Sequence, residues 1–180
     1  EENSSSMWNL YRQLGNTQYM LERARKECAV EGEGNPAMIG VALIMHSLIA
    51  QLLTDTYGNV PYSQAGLLAL QDDNWEYTPK YDNQKDIYID LLRSMEEANA
   101  CFNKAKEMKS AGTLSNINFD SRYDYMYNGD VDKWQRFGNS LYLRILMRVS
   151  NKVVEESDGI ISLGEEFGDI NVLNKINELY

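Results

Sequence analysis

Apolar residues recur at helical spacing in four long segments of the chain. The first stripe consists of Met7, Leu10, Leu14, Thr17, Leu21, Ala24 and Cys28. Alternating steps of three and four residues place such a stripe on one side of an α-helix. The pattern predicts a first helix that buries one face and is broken by residues 31–36, with Ser4 to Ser6 as possible capping residues.

The second segment is apolar around most of its circumference, from Ala37 to about Tyr57. Asn35 and Pro36 precede it as a predicted N-cap and first helical residue, and Gly58 and Pro61 predict its end. The apolar run is interrupted by polar residues and is shorter than the roughly 20 residues that a membrane span needs. We therefore expect a central, buried core helix and no transmembrane span.

Two further helices are predicted downstream. The third has Asp82 as its expected N-cap and ends before Gly112, and the fourth is capped by Asp130 and runs to about Lys152. Their stripes are Ile87, Leu91, Met95, Ala98, Phe102 and Ala105, and Trp134, Phe137, Leu141, Ile145 and Val149. Residues 171–180 show the same periodicity without a capping residue, which predicts a truncated last helix. No strand is predicted.

The order of these elements predicts an all-α fold. The expected arrangement is two antiparallel helix pairs, at about residues 5–57 and 82–152, in a tetratricopeptide-like α-solenoid with long inserted loops. The pairs are longer than the usual 34-residue repeat and lack its Trp, Leu-Gly and Tyr pattern. We expect residues 1–180 to form a single helical domain, as a fragment of a longer protein.

Composition narrows the choice of partners. The chain has 180 residues, 43% of them hydrophobic and 24% charged, which is ordinary for one globular domain. Its 27 acidic and 17 basic residues give a net charge of −10. Because binding to phosphates requires clustered Lys and Arg, nucleic acid is an unfavourable partner.

The sequence offers little for catalysis, metal binding or cofactor binding. His46, the one histidine, lies among apolar residues and is expected to be a hydrogen-bonded core residue. Cys28 and Cys101 are expected to be small core residues, with a disulfide between them as the alternative in an exported protein. The acidic pairs Asp72–Asp73 and Glu165–Glu166 lack the ligand spacing of a calcium loop and are expected to be solvated. A hydrolase would need two carboxylates facing each other across a cleft.

Aromatic residues cluster in two predicted loops. Tyr57, Tyr62, Trp75, Tyr77 and Tyr81 lie in or beside residues 58–81, and Tyr123, Tyr125 and Tyr127 lie before the fourth helix. Aromatic rings beside amides and carboxylates suit sugars, whose C–H faces stack on rings while their hydroxyls form hydrogen bonds. The candidate ligand residues are Asn74, Trp75, Tyr77 and Tyr81. The alternative is that the rings only clamp the loops onto the helices.

Arginines recur on one face of the fourth helix, at Arg136, Arg144 and Arg148. Guanidinium groups in apolar surroundings require carboxylate partners. We therefore expect Asp55, at the end of the second helix, to pair with Arg144 or Arg148 and to fix the exit of the first loop.

Three segments together resemble one family. Residues 53–65 read Leu-Thr-Asp-Thr-Tyr-Gly-Asn-Val-Pro-Tyr-Ser-Gln-Ala, and residues 80–88 read Lys-Tyr-Asp-Asn-Gln-Lys-Asp-Ile-Tyr. The third segment runs from Asp132-Lys133-Trp134 through Asn139-Ser140-Leu141 to Leu143-Arg144 and Met147-Arg148. Their order and spacing resemble the SusD/RagB family of nutrient-binding outer-membrane lipoproteins. Asn59 and Gln64 replace frequent acids of that pattern, and Gly138 replaces an alanine-like residue.

The resemblance implies a tetratricopeptide-like scaffold that is not an enzyme. Family members bind oligosaccharides, or peptides in some relatives, and pass them to a SusC-like TonB-dependent transporter in the outer membrane. They are attached to the cell surface by a lipidated cysteine, which would lie outside this chain. In the motifs, the residues matching the family pattern are Asp55, Tyr57, Gly58, Pro61, Trp134, Asn139, Arg144 and Arg148, which we interpret as structural.

The sequence thus favours a glycan-binding surface protein. The alternative is a structural or interaction scaffold that binds the transporter or peptides and makes no direct glycan contact. Exposed rings at Trp75 and Tyr77 would favour the first interpretation, and buried rings the second.

Overall fold

The computed structural model describes residues 2–30, 34–66, 78–150, 154–157, 160–163, 166–167 and 170–179. Its helices are α1 (Glu2–Cys28), α2 (Pro36–Tyr57), α3 (Gln84–Ser110), α4 (Val131–Val149) and α5 (Val172–Leu179). Successive long helices pack side by side, and the predicted all-α, tetratricopeptide-like arrangement is confirmed. The assignment of all 180 residues to one domain with a truncated last helix stays a prediction.

The ends of α2 follow from local chemistry. Asn35 Oδ1 accepts a hydrogen bond from the Ala37 N–H at 3.0 Å, and Pro36 occupies the first helical position. At the other end Gly58 has a φ of +75° and its N–H donates to the Thr54 carbonyl at 2.8 Å. Both predicted boundaries are confirmed. Glycine suits the second one because it adopts a positive φ at little cost.

Several predicted boundaries are wrong. α1 begins at Glu2, so Ser4 to Ser6 lie inside the helix, where serine costs only a few tenths of a kcal/mol in helix propensity. α4 ends at Val149 rather than near Lys152. Asp82 does not cap α3; Asn83 occupies that position without a side-chain hydrogen bond, because the Asp82 carboxylate is bound to backbone N–H groups of the first loop.

The prediction of no strand is also wrong. Three short antiparallel ladders pair β1 (Val60–Pro61) with β2 (Tyr81–Asp82), β3 (Val154–Ser157) with β4 (Ile160–Leu163), and β5 (Glu166–Phe167) with β6 (Ile170–Asn171). These strands are two to four residues long, too short for an alternating pattern to be visible in the sequence.

The core is built around α2, which packs against α1, α3 and α4. Gly40 lies under the Phe102 ring of α3, where a Cβ would come within 2.9 Å of the ring. By length and composition α2 is able to cross a membrane, but 72% of its most apolar window is buried inside the protein. It is therefore the central core helix, as predicted.

His46 is buried between α1 and α2. It is 8% exposed, and its Nδ1 lies 3.1 Å from Thr17 Oγ1. Burial lowers the pKa of His46 to about 4, although the nearby Asp90 carboxylate opposes this shift. The histidine is therefore a neutral, hydrogen-bonded core residue at pH 7, as predicted.

This burial predicts a pH-dependent loss of stability. Between pH 6.5 and 4 the unfolded chain protonates its histidine and the folded protein does not, so stability falls as the pH is lowered. We expect His46 to account for a loss of about 2 to 3 kcal/mol in the free energy of unfolding between pH 7.5 and pH 4.5. Urea denaturation at several pH values measures it, with His46→Gln as the control that lacks this titration. An identical pH dependence in both proteins would contradict the prediction.

Candidate functional site

The two ends of the first long loop are tied together in a stem. In the β1–β2 ladder Val60 pairs with Asp82 and Pro61 with Tyr81. Outside the ladder, the Gln84 N–H donates to Asn59 Oδ1 at 3.0 Å. Tyr11 of α1 also donates its hydroxyl to the Pro61 carbonyl at 3.1 Å. The stem is therefore fixed to α1 through Tyr11 and to the start of α3 through Gln84.

The Asp82 carboxylate organises the loop side of this stem. It accepts the backbone N–H groups of Tyr62 and Ser63, at 3.2 and 2.6 Å, and the Ser63 hydroxyl at 3.1 Å. Lys80 Nζ lies 3.3 Å away. Burial opposes ionisation of this group, but the hydrogen bonds, led by those of Ser63, outweigh it and lower the pKa of Asp82. The carboxylate is therefore ionised at neutral pH.

A polar cavity of about 370 Å³ lies beside the stem. Its walls include Gln18, His46, Tyr62, Ser63, Asp82, Asp86, Asp90 and Arg93. The Tyr62 hydroxyl donates to Asp90 Oδ2 at 2.6 Å, and burial together with this carboxylate raises the pKa of Tyr62. Amide, carboxylate and guanidinium groups around an aromatic ring are those that bind a polyhydroxyl ligand.

The predicted ligand residues divide into two groups. Tyr81 lies on β2 at the base of the loop and is 70% exposed. Asn74, Trp75 and Tyr77 lie outside the described residues. The open aromatic platform of Trp75 and Tyr77 therefore stays a prediction.

The predicted ion pair at the end of α2 is present. Arg148 Nη2 lies 3.2 Å from Asp55 Oδ2, and Tyr88 of α3 donates its hydroxyl to the same carboxylate. Arg144 does not share this carboxylate; its Nη2 donates to Gln51 Oε1 at 2.7 Å. Asp55 thus joins α2, α3 and α4 just before the chain turns at Gly58.

Two other signature residues differ in their surroundings. Asn139 Oδ1 is buried and has no hydrogen-bond partner among the described residues. Tyr57 is 42% exposed at the end of α2. The surroundings of Asn139 and Tyr57 do not explain why the family pattern contains these two residues.

Asp124, which no sequence pattern singled out, organises the second aromatic loop, around Tyr123, Tyr125 and Tyr127. Its carboxylate accepts the Trp134 indole N–H at 2.7 Å and the backbone N–H groups of Met126, Tyr127 and Gly129 at 3.0, 3.1 and 2.8 Å. Burial opposes ionisation, but these four hydrogen bonds outweigh it and lower the pKa of Asp124. In the sequence, Asp124 precedes its three backbone donors by two to five residues and Trp134 by ten. This spacing is the only sequence signal for its role, and it is a weak one.

This second loop exposes rings to solvent. Tyr123 is 81% and Tyr125 is 95% exposed, although Asp124 between them is buried. They border an apolar cavity of about 540 Å³ whose walls include Met20, Met38, Met45, Phe119, Met126 and Trp134. The walls are chiefly apolar, which suits contact with protein better than contact with sugar hydroxyls.

Among the residues described, no group of three or more His, Cys, Asp or Glu side chains is arranged to hold a metal ion. The stem cavity and the Tyr123–Tyr125 surface are candidate binding surfaces because each places aromatic rings beside a cavity.

Comparison with protein families gives a match over residues 1–163 to a SusD-like family described as "Starch-binding associating with outer membrane". A solved structure described as a chitin-binding protein is similar over 99% of this chain, with 28% identity and a TM-score of 0.64. A chitin-binding SusD homolog from Flavobacterium johnsoniae is similar over 65% of the chain, with 29% identity and a TM-score of 0.52. A SusD homolog from Bacteroides fragilis is similar over 95%, with 25% identity and a TM-score of 0.63.

The matched region is only part of these proteins. The chain covers 31%, 22% and 29% of the three structures, respectively. A comparison with curated proteins gives no match.

Proposed function

Because the chain belongs to the SusD-like family, matched over residues 1–163, we propose that it binds glycans without chemical conversion and delivers them to a SusC-like TonB-dependent transporter. The family associates with the outer membrane, and its members are binding proteins. A lipidated cysteine outside the sequence would hold the protein at the cell surface. The observation that carries the proposal is this family match, together with a loop stem that positions aromatic and polar groups side by side.

The stem supports glycan binding through its chemistry. The exposed Tyr81 ring offers a face for a pyranose, and the adjacent cavity supplies carboxylates at Asp86 and Asp90 for hydroxyl groups. Because hydrogen bonds hold both ends of the loop, ligand binding would cost little ordering of the stem. In the proposal Asn74, Trp75, Tyr77 and Tyr81 contact the ligand.

Two solved relatives are described as chitin-binding and the family as starch-binding, so chitin and starch oligosaccharides are the first ligands to test. We expect calorimetric titration to detect binding of one of them. Trp75→Ala and Tyr81→Ala should each weaken it about three- to tenfold, since a stacked ring contributes roughly 0.5 to 1.5 kcal/mol.

Tyr125→Ala is the matched control, because it removes an exposed ring from the other loop. If no glycan binds, or if Trp75→Ala and Tyr81→Ala leave binding unchanged, the proposed site is wrong.

The alternative function is a scaffold that binds the transporter or a peptide. The surface formed by Tyr123, Tyr125 and Met126, which are 81%, 95% and 51% exposed, favours it. Exposed apolar patches of this kind are typical of protein contacts. Co-purification of the transporter that is lost in Tyr125→Ala, without any glycan binding, would support this alternative.

A further inference from the structure

Cys28 and Cys101 lie on two parallel helices, α1 and α3. α1 and α3 both run antiparallel to α2 and therefore parallel to each other. Arg25 of α1 donates its Nη2 to both carboxylate oxygens of Glu97 on α3, at 2.8 and 3.1 Å. This ion pair places Arg25 and Glu97 opposite each other on the two helices.

The cysteines lie one turn beyond this ion pair. Cys28 follows Arg25 by three residues, and Cys101 follows Glu97 by four. Residues three or four apart lie on the same helical face. The two cysteines therefore lie on the same side of their helices as the ion pair, one turn further along, and both are free thiols in the structure.

The surroundings of the two thiols are shared. Both are partly buried, and the Lys104 ammonium acts on both. Burial raises the pKa of Cys28 and raises the pKa of Cys101 to about 11, with Glu97 and Cys28 adding to the second shift. The loop after α1 packs against Cys28, where a Cβ at Gly34 would come within 2.8 Å of its Sγ.

The cellular location supplies the oxidising conditions. A protein of a family that associates with the outer membrane passes through the cell envelope, where disulfides form and persist. The 180 residues contain two cysteines, so within this sequence each thiol has one possible partner.

We propose that Cys28 and Cys101 form a disulfide that joins α1 to α3 after export. A protein disulfide of an envelope thiol oxidase is the oxidant. The Cys28 thiolate attacks it and releases one thiol of the oxidase, and the Cys101 thiolate then displaces the second from the mixed disulfide. Two thiols of this protein are oxidised, one disulfide of the oxidase is reduced to two thiols, and the protons pass to them.

The cross-link closes a loop that contains α2 and the whole first aromatic loop. It would stabilise the fold by restricting the unfolded chain across this long segment. It would also hold the C-terminal end of α1 against α3 independently of the exposed Arg25–Glu97 ion pair, which contributes little by itself.

The test uses the full chain, purified and then oxidised with glutathione disulfide. We expect no free thiols in the denatured protein, a Cys28–Cys101 peptide in non-reducing mass spectrometry, and a Tm that falls by about 5 to 10 °C after reduction. The variant with Cys28→Ser and Cys101→Ser is the control, and its Tm should not respond to reductant.

Two free thiols in a folded, oxidised protein would overturn the proposal, because the helices would then hold the sulfur atoms too far apart. Dimers linked between molecules, or a reduced protein with unchanged Tm, would overturn it as well.

Discussion

Replacement of Asp124 by alanine is expected to lower the free energy of unfolding by about 3 to 4 kcal/mol. The substitution removes the acceptor of four hydrogen bonds, including the one from the buried Trp134 indole at 2.7 Å. Donors left without a partner in a buried site each cost about 1 to 3 kcal/mol, and these costs are not additive. Urea denaturation followed by tryptophan fluorescence measures the change.

Asp120→Ala is the matched control for Asp124. Asp120 lies in the same loop, but its carboxylate pairs with Arg122 at the surface, where their side chains are 39% and 78% exposed. We expect this variant to keep its stability within the small range of surface ion pairs. Equal losses in the two variants would show that the loop is held by something other than the Asp124 hydrogen bonds.

Gly129→Ala is expected to be the more damaging of two glycine substitutions. Gly129 has a φ of +80°, and a Cβ there would overlap the Phe119 carbonyl oxygen and lie 2.8 Å from its carbon. Backbone strain and a clash with main-chain atoms together should cost about 4 kcal/mol. The expected result is a fall in Tm of about 10 °C by calorimetry.

Gly112→Ala separates the two contributions. Gly112 has a φ of +75°, but a Cβ there would meet nothing within 4 Å. Only the strain remains, so we expect a loss of about 1 to 2 kcal/mol. If both alanine variants are equally destabilised, the close approach to Phe119 has no energetic weight.

The helices and their packing order were predictable because each one leaves a local signal. Apolar residues at helical spacing, together with Asn35, Pro36 and Gly58, fix where α2 begins and ends. The Asp55–Arg148 pair was predicted from opposite charges on neighbouring helices, but the premise of apolar surroundings was wrong for the arginine, because the Arg148 side chain is 57% exposed.

The role of Asp82 was not predictable from its immediate neighbours. Its position just before α3 is typical of an N-cap, yet its carboxylate binds the N–H groups of Tyr62 and Ser63, about 20 residues earlier in the chain. The competing partners become visible only when β1 and β2 are paired. Asp124 was missed for a similar reason, because its four donors converge only after the loop has folded.

The candidate ligand residues could be predicted only as a type. The sequence shows aromatic and amide residues between positions 74 and 81, and the structure places Tyr81 at the exposed base of the loop. The polar cavity beside it combines Gln18 of α1 with Asp86 and Asp90 of α3, which are far apart in the sequence. Such a cavity depends on helix register, and no local pattern records it.

The stem formed by Val60, Pro61, Tyr81 and Asp82 has a consequence for how such a protein can diversify. Because the chain leaves and re-enters the helical scaffold at one point, the segment between β1 and β2 can change length or sequence beyond Gly66 without moving α2 or α3, while Tyr62 and Ser63 stay bound to Asp82 and Asp90. The entropic cost of closing a loop rises only slowly with its length, so long insertions are tolerated there. The same scaffold is thus suited to carry loops that differ in length and sequence.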